Sequence, residues 1–485
     1  MTYPQELRLN PVHPKNMTKD DWLTDLETLF RLMKQSNPYI SLKERTHGYA
    51  WLDLLRGYRD RMQESESTLE YLDVLFDAVQ ALQNRHTIIL IPDWLYDYYD
   101  VEEYRTKEPY CHIFTDKLKE YYAYWEPIIE EYFKHRIYLN FDVFIVYNNG
   151  EYLIATGHGS WEKRYGKRTI VTAVNGIPID EAIQGCYEKG FLDWDFKREK
   201  HYLWKIAPRH FGPDAEFTIR RKSGEEKQVV FPSGYDFPYP YATIKYPVPR
   251  LETRTWPKRG AAYIRIGDFS DGMFEEDSRV LLDFYKQIED YRLLIIDVRG
   301  NEGGSYLPWM TNVISPLAKK TLSSRMHLAF RSGAYVEMFR ETADIGSIVS
   351  KDVFDELPPE VLADDFTIYD YTQTVGSSGE FDFKGKIVLL IDGETFSATD
   401  AFALFCKETG FAKLYGTPTG GDGISDSPIY YILPNSKLVV RFTPGMGIDY
   451  TGSANEETRV QPDVYYESEF ADLNSLVNHV IKKEL

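Results

Sequence analysis

The hydrophobic positions near the N-terminus recur with the period of an α-helix. Thr18 and Asp21 have the spacing of an N-terminal capping box. The apolar positions that follow lie three or four residues apart: Trp22, Leu26, Leu29, Phe30 and Met33. A helix is therefore predicted to begin after Thr18.

A second apolar stripe of helical period runs directly into a histidine. The segment NRHT at residues 84–87 follows this stripe, and the next residues, IILI, have strand character. His86 is therefore predicted to lie at a junction between a helix and a strand. The stripe consists of Leu69, Leu72, Phe76, Val79 and Leu82.

The middle of the chain changes from helical to strand patterns. Residues 95–137 are dense in Tyr, Glu and Lys, with the apolar spacing of a solvated helix. Residues 138–232 instead contain short alternating stretches around one helix that begins near Asp180, and end in the hairpin pattern AEFTIRRKSGEEKQVVF. This part is predicted to be a small, mainly β module.

After Pro247, Pro249 and Pro257, continuous apolar runs alternate with helical patterns. The runs AAYIRIGDF, LLIIDVRG and KIVLLID predict buried strands, with helices at residues 278–288 and 398–407, the second closed by Gly410. Such alternation is typical of a mixed α/β core.

Together the patterns predict an α/β (α+β) multidomain protein. We expect a helical N-terminal domain with His86 at residues 1–137, a β domain at 138–250 and a mixed α/β core at 251–485. A length of 485 residues agrees with several domains.

Composition narrows the classes of function. Hydrophobic residues make up 43% of the chain and charged residues 27%, as in soluble globular proteins. No apolar run reaches the roughly 20 residues of a membrane-spanning helix. A net charge of −19 argues against a nucleic-acid partner.

The cysteines and the N-terminus add little chemistry. Cys111, Cys186 and Cys406 are far apart and lack C-x-x-C spacing, so neither a disulfide framework nor a zinc site is expected. The first residues lack the apolar stretch of a secretory signal. The sequence as given predicts a cytoplasmic location, or a secreted or periplasmic one if a leader was removed.

Two loops that follow predicted buried strands could carry a functional site. In DVRGNEGG at residues 297–304, glycines allow backbone N–H groups to turn towards a ligand, as an oxyanion hole requires, although a tight connection without ligand is the alternative. The loop GETFSATD at residues 393–400 leads into a helix whose N-terminus favours negative charge. Taken alone, Ser397 and Asp400 would fit a helix capping box.

The order of three motifs resembles the tail-specific (C-terminal-processing) serine peptidases. LLIIDVRGNEGGS resembles their Asp-Leu-Arg-x-Asn-x-Gly-Gly motif, and GKIVLLIDGETFSATDAFA with LYGTPTGGDG resembles their nucleophile motif and the loop after it. With VQPD at residues 460–463, the resemblance covers roughly residues 258–470. It implies a ClpP/crotonase-like core with Ser397 as nucleophile. The segment VTAVNGIPI is similar to part of a PDZ domain, which makes residues 138–250 PDZ-like.

The usual general base of this family is missing. Its lysine lies 25 residues after the serine, a position that Asp422 occupies here. A carboxylate of ordinary pKa is too weak a base to replace a neutral amine. The resemblance therefore points to the branch of the tricorn core, the chlamydial secreted protease and the interphotoreceptor retinoid-binding protein, with Ser-His-Glu in place of Ser-Lys.

Residue by residue, that branch implies the rest of the site. His86 stands where its upstream histidine base is expected, although Asn84-Arg85 replaces the usual Asp-Gly. A glutamate six residues before Pro462 corresponds to Glu456, with Glu457 as the reserve. The oxyanion donors would be the backbone N–H groups of Ala398 and of Gly303 or Gly304.

The sequence therefore predicts a metal-independent serine peptidase that acts on polypeptides and needs no cofactor. Asp297, Asp422 and Asp426 lack a metal-ligand pattern and are interpreted as turn formers. Two other functions stay open: a catalytically degenerate binding protein for a hydrophobic ligand or peptide, and a scaffold that binds partner tails through the PDZ-like module. The substrate, the cleavage preference and the oligomeric state are not predicted.

Overall fold

The computed structural model describes residues 12–136, 144–155, 166, 168–212, 214–231, 249–341, 345–363, 365–469 and 472–485. These residues form two compact units. The first comprises Met1–Lys245, Arg331–Ala343 and Ser427–Pro444, and the second comprises Tyr246–Phe330, Asp344–Asp426 and Gly445–Leu485. The predicted scheme of three consecutive domains stays a prediction.

The two helices predicted from the N-terminal stripes are confirmed in the first unit. Lys19–Ser36 begins at a capping box in which Thr18 N–H donates to the Asp21 carboxylate at 2.8 Å. Thr68–Gln80 begins at a second capping box, formed by Ser67 and Glu70. The other α-helices of this unit outside residues 92–136 are Ile40–His47, Leu55–Glu64, Ile179–Ala182 and Ala334–Arg340.

The prediction of a solvated helix at residues 95–137 is wrong in two respects. Trp125 and Tyr122 of this region are fully buried, and the Trp125 indole N–H donates to Ser436 O at 2.7 Å. The region also forms three helices rather than one: Pro92 lies in the first turn of the first helix, and Pro109 lies in the connection before the last. The helices are Pro92–Asp100, Glu102–Thr106 and Asp116–Arg136.

The predicted β module forms a seven-stranded antiparallel sheet in the first unit. Its C-terminal hairpin is confirmed, with Val229 opposite Phe217. The PDZ-like assignment stays a prediction, and residues 156–165 of this module lie outside the described residues. In spatial order the strands are Glu226–Val230, Glu216–Arg220, Ile170–Val174, Glu151–Ala155, Phe144–Asn148 and Lys205–Ile206, with Ile177–Pro178 beside Ile170–Val174.

Two smaller sheets complete the first unit. Leu192–Asp195 pairs with Lys200–Leu203. In the other, Ile88–Ile89, Val439–Phe442 and Ile429–Ile432 pair in that order, antiparallel. The short strand after His86 is thus held by a segment about 350 residues later in the chain.

The second unit is built on a six-stranded sheet, which agrees with the predicted mixed α/β core. Its first two strands are antiparallel and the others parallel. Their order is Leu251–Trp256, Ala261–Ile266, Leu293–Asp297, Lys386–Ile391, Lys413–Gly416 and Val464–Tyr465.

The central strands are buried because helices cover the sheet. Leu476, Val477, Val480 and Ile481 of the helix Asn474–Glu484 pack against the strands Leu293–Asp297 and Lys386–Ile391. The other helices of this unit are Phe274–Ile288, Tyr306–Trp309, the π-helical Met310–Ile314, Ser315–Leu317, Ala398–Thr409 and Asn455–Thr458. The remaining strands are Leu322–Ser324, His327–Arg331, Ile348–Val349, Phe366–Asp370, Gln373–Val375 and Gly445–Ile448.

Three loops leave this sheet at one edge. They follow the adjacent parallel strands Leu293–Asp297, Lys386–Ile391 and Lys413–Gly416, and are named here the 298–305, 392–397 and 417–426 loops. Carboxyl ends of neighbouring parallel strands meet at the same edge, which is where α/β folds place their sites. Among the described helices, none has the length and apolar character required to cross a membrane.

Candidate functional site

Ser397 ends the 392–397 loop in a strained conformation. It occupies the N-cap position of the helix Ala398–Thr409, with φ 55° and ψ −129°, a backbone region that side-chain-bearing residues rarely adopt. Its side chain is half-buried and makes no capping hydrogen bond. The capping-box alternative for Ser397 and Asp400 is therefore wrong, because Asp400 uses both carboxylate oxygens elsewhere.

Asn301 joins the 298–305 loop to the segment around Ser397. The fully buried Asn301 accepts hydrogen bonds at Oδ1 from the Thr399 hydroxyl at 2.7 Å and from Gly303 N–H at 2.9 Å. Its carbonyl oxygen accepts from Phe396 N–H at 3.1 Å. The DVRGN motif contained this residue, but only the fold shows which groups it binds.

Gly303 lies directly against Ser397. A Cβ added to Gly303 would lie 2.8 Å from Ser397 Cβ and 3.1 Å from Ala398 N. Both Gly303 and Gly304 have positive φ, 114° and 132°. The structure thus brings Ser397, Ala398 and these two glycines together, while their roles as oxyanion donors stay predictions. Gly303 N–H already donates to Asn301.

Gly303→Ala is expected to destabilise the second unit by about 2–4 kcal/mol, because it adds steric overlap to the strain of a positive φ. Gly379→Ala is the matched control, since Gly379 also has a positive φ but no atom within 4 Å of an added Cβ. Urea unfolding of both variants measures the difference. If both variants lose the same free energy of unfolding, the contact between Gly303 and Ser397 does not contribute to the effect.

The 417–426 loop holds the backbone of Ser397. Ser397 N–H donates to Gly421 O at 3.2 Å, and Gly420 N–H donates to Thr395 O at 2.8 Å. The next residue, Asp422, is buried at the position of the missing lysine and has φ 53°. This loop therefore helps to fix the turn at Ser397 through two backbone hydrogen bonds.

Glu456 belongs to a short helix beside the same loop. This helix, Asn455–Thr458, is named the Glu456 helix, and both Glu456 and Glu457 are half-buried in it. A Cβ added to Gly421 would lie 3.6 Å from Glu456 Cα. The Glu456 backbone therefore packs directly against Gly421 of the loop that binds Ser397 N–H.

Asp400 connects these elements through hydrogen bonds that the sequence did not predict. Its carboxylate accepts from the Thr419 hydroxyl and, at 2.8 Å, from Asn455 Nδ2. Burial raises the pKa of Asp400 to about 7, although both hydrogen bonds act to lower it. The three side chains are at most 1% exposed.

Asp297 is held by buried hydrogen bonds and an ion pair within the second unit. The fully buried carboxylate pairs with the Arg299 guanidinium through two bonds of 2.9 and 2.7 Å, and accepts from the Tyr263 hydroxyl at 2.9 Å. Burial alone would raise the pKa of Asp297, but the charge of Arg299 lowers it overall. Asp297 thus orients the start of the 298–305 loop.

His86 lies where the sequence predicted, in the turn between Thr68–Gln80 and Ile88–Ile89 of the first unit. It is 9% exposed. The turn is fixed by Thr87 N–H, which donates to Asn84 O at 3.0 Å, and by the Arg441 guanidinium, which donates to His86 O at 3.3 Å. The pairing of His86 with Ser397 stays a prediction.

One group of described side chains has the geometry of metal ligands. Glu108, Cys111 and His112 offer ligand atoms within 4.8 Å of one another. Glu108 and His112 are exposed and form an ion pair of 2.7 Å. Because such exposed groups are common without a metal, no metal is assigned to them.

Comparisons with known proteins place the region that contains these loops in a known family model. Residues 260–466, which contain the three loops and the Glu456 helix, match the family model described as Peptidase family S41. No curated protein is similar enough in sequence to match the chain.

Solved structures resemble this one over nearly the whole chain. Mature CPAF is 15% identical with a TM-score of 0.57, and the similarity covers 96% of each chain. Mature CPAF complexed with lactacystin is 15% identical with a TM-score of 0.53, covering 96% of this chain and 97% of that one. The photosystem II D1 C-terminal processing protease is 14% identical with a TM-score of 0.39, covering 95% and 97%. At these identities the resemblance to CPAF concerns the fold.

The match of residues 260–466 to Peptidase family S41 therefore supports a serine-type peptidase, and the fold of the chain is similar to that of CPAF. The predicted resemblance to this family is confirmed over these residues. The narrower assignment to the Ser-His-Glu branch stays a prediction.

Proposed function

We propose that this S41 peptidase hydrolyses polypeptides through an acyl-enzyme on Ser397, with His86 as general base and Glu456 orienting the histidine. The observation that carries the proposal is the conformation of Ser397. A serine held at φ 55° without a capping bond, at a strand-to-helix turn, resembles the strained elbow that presents the nucleophile in other hydrolases.

In the proposed reaction, the Ser397 hydroxyl oxygen bonds to the scissile carbonyl carbon while its proton moves to the His86 ring. The tetrahedral intermediate then collapses, and the leaving amine takes the proton from the histidine. Water attacks the resulting ester with the same histidine as base, which releases the acid and restores Ser397.

The developing oxyanion needs donors beside Ser397. We assign Ala398 N–H, at the N-terminus of the helix Ala398–Thr409, where the helix dipole favours negative charge. Gly304 N–H is the preferred second donor, since Gly303 N–H already donates to Asn301. Gly303 then contributes mainly by its close approach to Ser397.

The choice of base rests on chemistry as well as on resemblance. Asp422 replaces the lysine of the common branch, and a carboxylate of ordinary pKa is a weaker base than a neutral amine. Imidazole can accept the serine proton and return it to the leaving group. Glu456 is the proposed partner of His86, with Glu457 as the reserve.

Covalent labelling tests the proposal directly. A serine-reactive fluorophosphonate is expected to add one group per chain, located at Ser397 by peptide mass spectrometry, because only an activated serine reacts readily. Lactacystin is a second probe, since mature CPAF is known in complex with it. Heat-denatured protein is the control and should stay unlabelled.

The competing function is a binding protein on the same fold. The replacement of Asp-Gly by Asn84-Arg85 before His86 favours it, and Arg85 is committed to an ion pair of 2.7 Å with Asp193. This alternative predicts no labelling at Ser397, together with binding of a hydrophobic ligand or peptide. Absence of labelling with either probe would overturn the peptidase proposal.

A further inference from the structure

We propose that Asp400 is a positioning residue for the Ser397 site: its carboxylate ties the helix that follows Ser397 to the 417–426 loop and to the Glu456 helix. The inference rests on the proposed function, because it concerns how Ser397 and Glu456 are held. Asp400 itself is fully buried and lies one helical turn after Ser397.

The donors around Asp400 have fixed directions. Gly423 N–H can only donate, and it donates to Asn455 Oδ1 at 2.7 Å, so the Asn455 amide must present its NH₂ group to Asp400. Val460 N–H donates to Thr419 Oγ1 at 2.8 Å, which leaves the Thr419 hydroxyl hydrogen for Asp400. In this arrangement Asp400 accepts at both oxygens, as an ionised carboxylate does.

The two bonds reach the elements that carry the proposed site. Thr419 lies two residues before Gly421, whose carbonyl accepts from Ser397 N–H. Asn455 immediately precedes Glu456. A single carboxylate thus fixes the position of the Glu456 helix relative to the turn at Ser397. This position matters because small displacements of catalytic groups lower the reaction rate.

Protonation of Asp400 would weaken its hydrogen bonds with Thr419 and Asn455. The pKa of Asp400 is raised to about 7, mainly by burial and to a smaller extent by the charge of Asp422, whereas its two hydrogen bonds and the charge of Arg459 act to lower it. Tyr306 is the titratable group that faces Asp400 from the helix Tyr306–Trp309, and Asp426 also acts on Tyr306. A neutral carboxyl carries a proton on one oxygen, so it cannot accept at both oxygens without rearrangement.

The test exchanges the residue types at positions 400 and 455, so that the aspartate and the asparagine change places. In Asp400→Asn, the amide offers a single acceptor oxygen, and in Asn455→Asp two carboxylates face each other in a dry site. In the double variant, the amide at position 400 accepts from Thr419 and donates to the carboxylate at position 455, which accepts from Gly423 N–H. All three hydrogen bonds are thereby restored, and only the bond between positions 400 and 455 has its direction reversed.

We expect Asp400→Asn to lower kcat by roughly tenfold at about pH 8.5, Asn455→Asp to lower it more, and the double variant to recover to within about threefold of wild type. KM should stay unchanged, since substrate-binding groups are not moved. Rates are normalised to the amount of Ser397 that the fluorophosphonate titrates, which removes any contribution from unfolded protein.

The pH dependence separates positioning from a purely structural role. The ratio of wild-type to Asp400→Asn kcat should be large above pH 7 and approach one at about pH 5.5, where Asp400 of the wild type is itself neutral. Any pH dependence that the two proteins share cancels in this ratio.

Two results would overturn the inference while the peptidase function stands: a double variant no better than the single variants, or a ratio that does not change with pH. A wild-type protein that neither cleaves polypeptides nor labels at Ser397 would instead overturn the proposed function, and the positioning role with it.

Discussion

Ser397→Ala is expected to lower kcat/KM for an unstructured polypeptide by about a thousandfold or more, because it removes the atom that forms the acyl-enzyme. Stability should change little, since the Ser397 side chain makes no capping bond and alanine removes only the hydroxyl. The measurement is steady-state hydrolysis of a fluorescently labelled, unfolded protein substrate, with thermal unfolding recorded in parallel.

Ser475→Ala is the matched control, because Ser475 is in the same unit and its hydroxyl makes only an exposed bond of 3.4 Å to Asp472 O. Its activity should equal that of wild type. Hydrolysis that survives in Ser397→Ala at more than a tenth of the wild-type rate would exclude Ser397 as the nucleophile.

His86→Ala is expected to cause a loss of similar size, about a thousandfold, because the serine hydroxyl is a weak nucleophile without a base. The residues of a catalytic unit are strongly non-additive, so Ser397→Ala/His86→Ala should be no slower than Ser397→Ala alone. Added imidazole should restore part of the His86→Ala activity by entering the space left by the ring, and none of the Ser397→Ala activity.

His112→Ala serves as the control histidine variant, since His112 belongs to the same unit and its side chain is 45% exposed. It should cleave at the wild-type rate. If His86→Ala keeps full activity, the base must come from another residue and the Ser-His-Glu assignment fails. If the loss is additive with that of Ser397→Ala, His86 acts outside the catalytic unit.

Burial at the site also connects pH to stability. Because the pKa of Asp400 is raised from 3.8 to about 7 in the folded state, the native protein holds this proton when the unfolded chain has released it. Asp400 therefore lowers the free energy of unfolding progressively as pH rises from about 4 to about 7. A charge retained at this cost agrees with a role in positioning rather than in stability.

Local sequence patterns were sufficient for the elements that carry the site. The apolar stripes before His86 predicted the helix Thr68–Gln80, and continuous apolar runs predicted the strands Leu293–Asp297 and Lys386–Ile391. Such patterns succeed because the periods of helices and strands are local properties of the chain. The helix after Ser397 was also predicted, and it ends at Thr409 before Gly410 in a left-handed conformation.

Residues 95–137 show where the patterns failed. The spacing of polar and apolar residues suggested a solvated helix, but Tyr122 and Trp125 are buried. Ser436, whose carbonyl oxygen accepts from the Trp125 indole N–H, is 311 residues from Trp125 in sequence. A local sequence pattern cannot predict such a partner, because only the tertiary fold brings segments that are distant in sequence together.

By itself, the sequence determined that Ser397 follows a buried strand, that it precedes a helix, and that glycine-rich segments lie on either side of it in the chain. Only the tertiary structure decided between a helix cap and a strained, uncapped serine. The pattern Ser-x-x-Asp is the same in both cases. The outcome depends on donors that reach Asp400 from Thr419 and Asn455, 19 and 55 residues away. Thr419 lies near Asp400 because both follow adjacent parallel strands that end at one edge of the sheet.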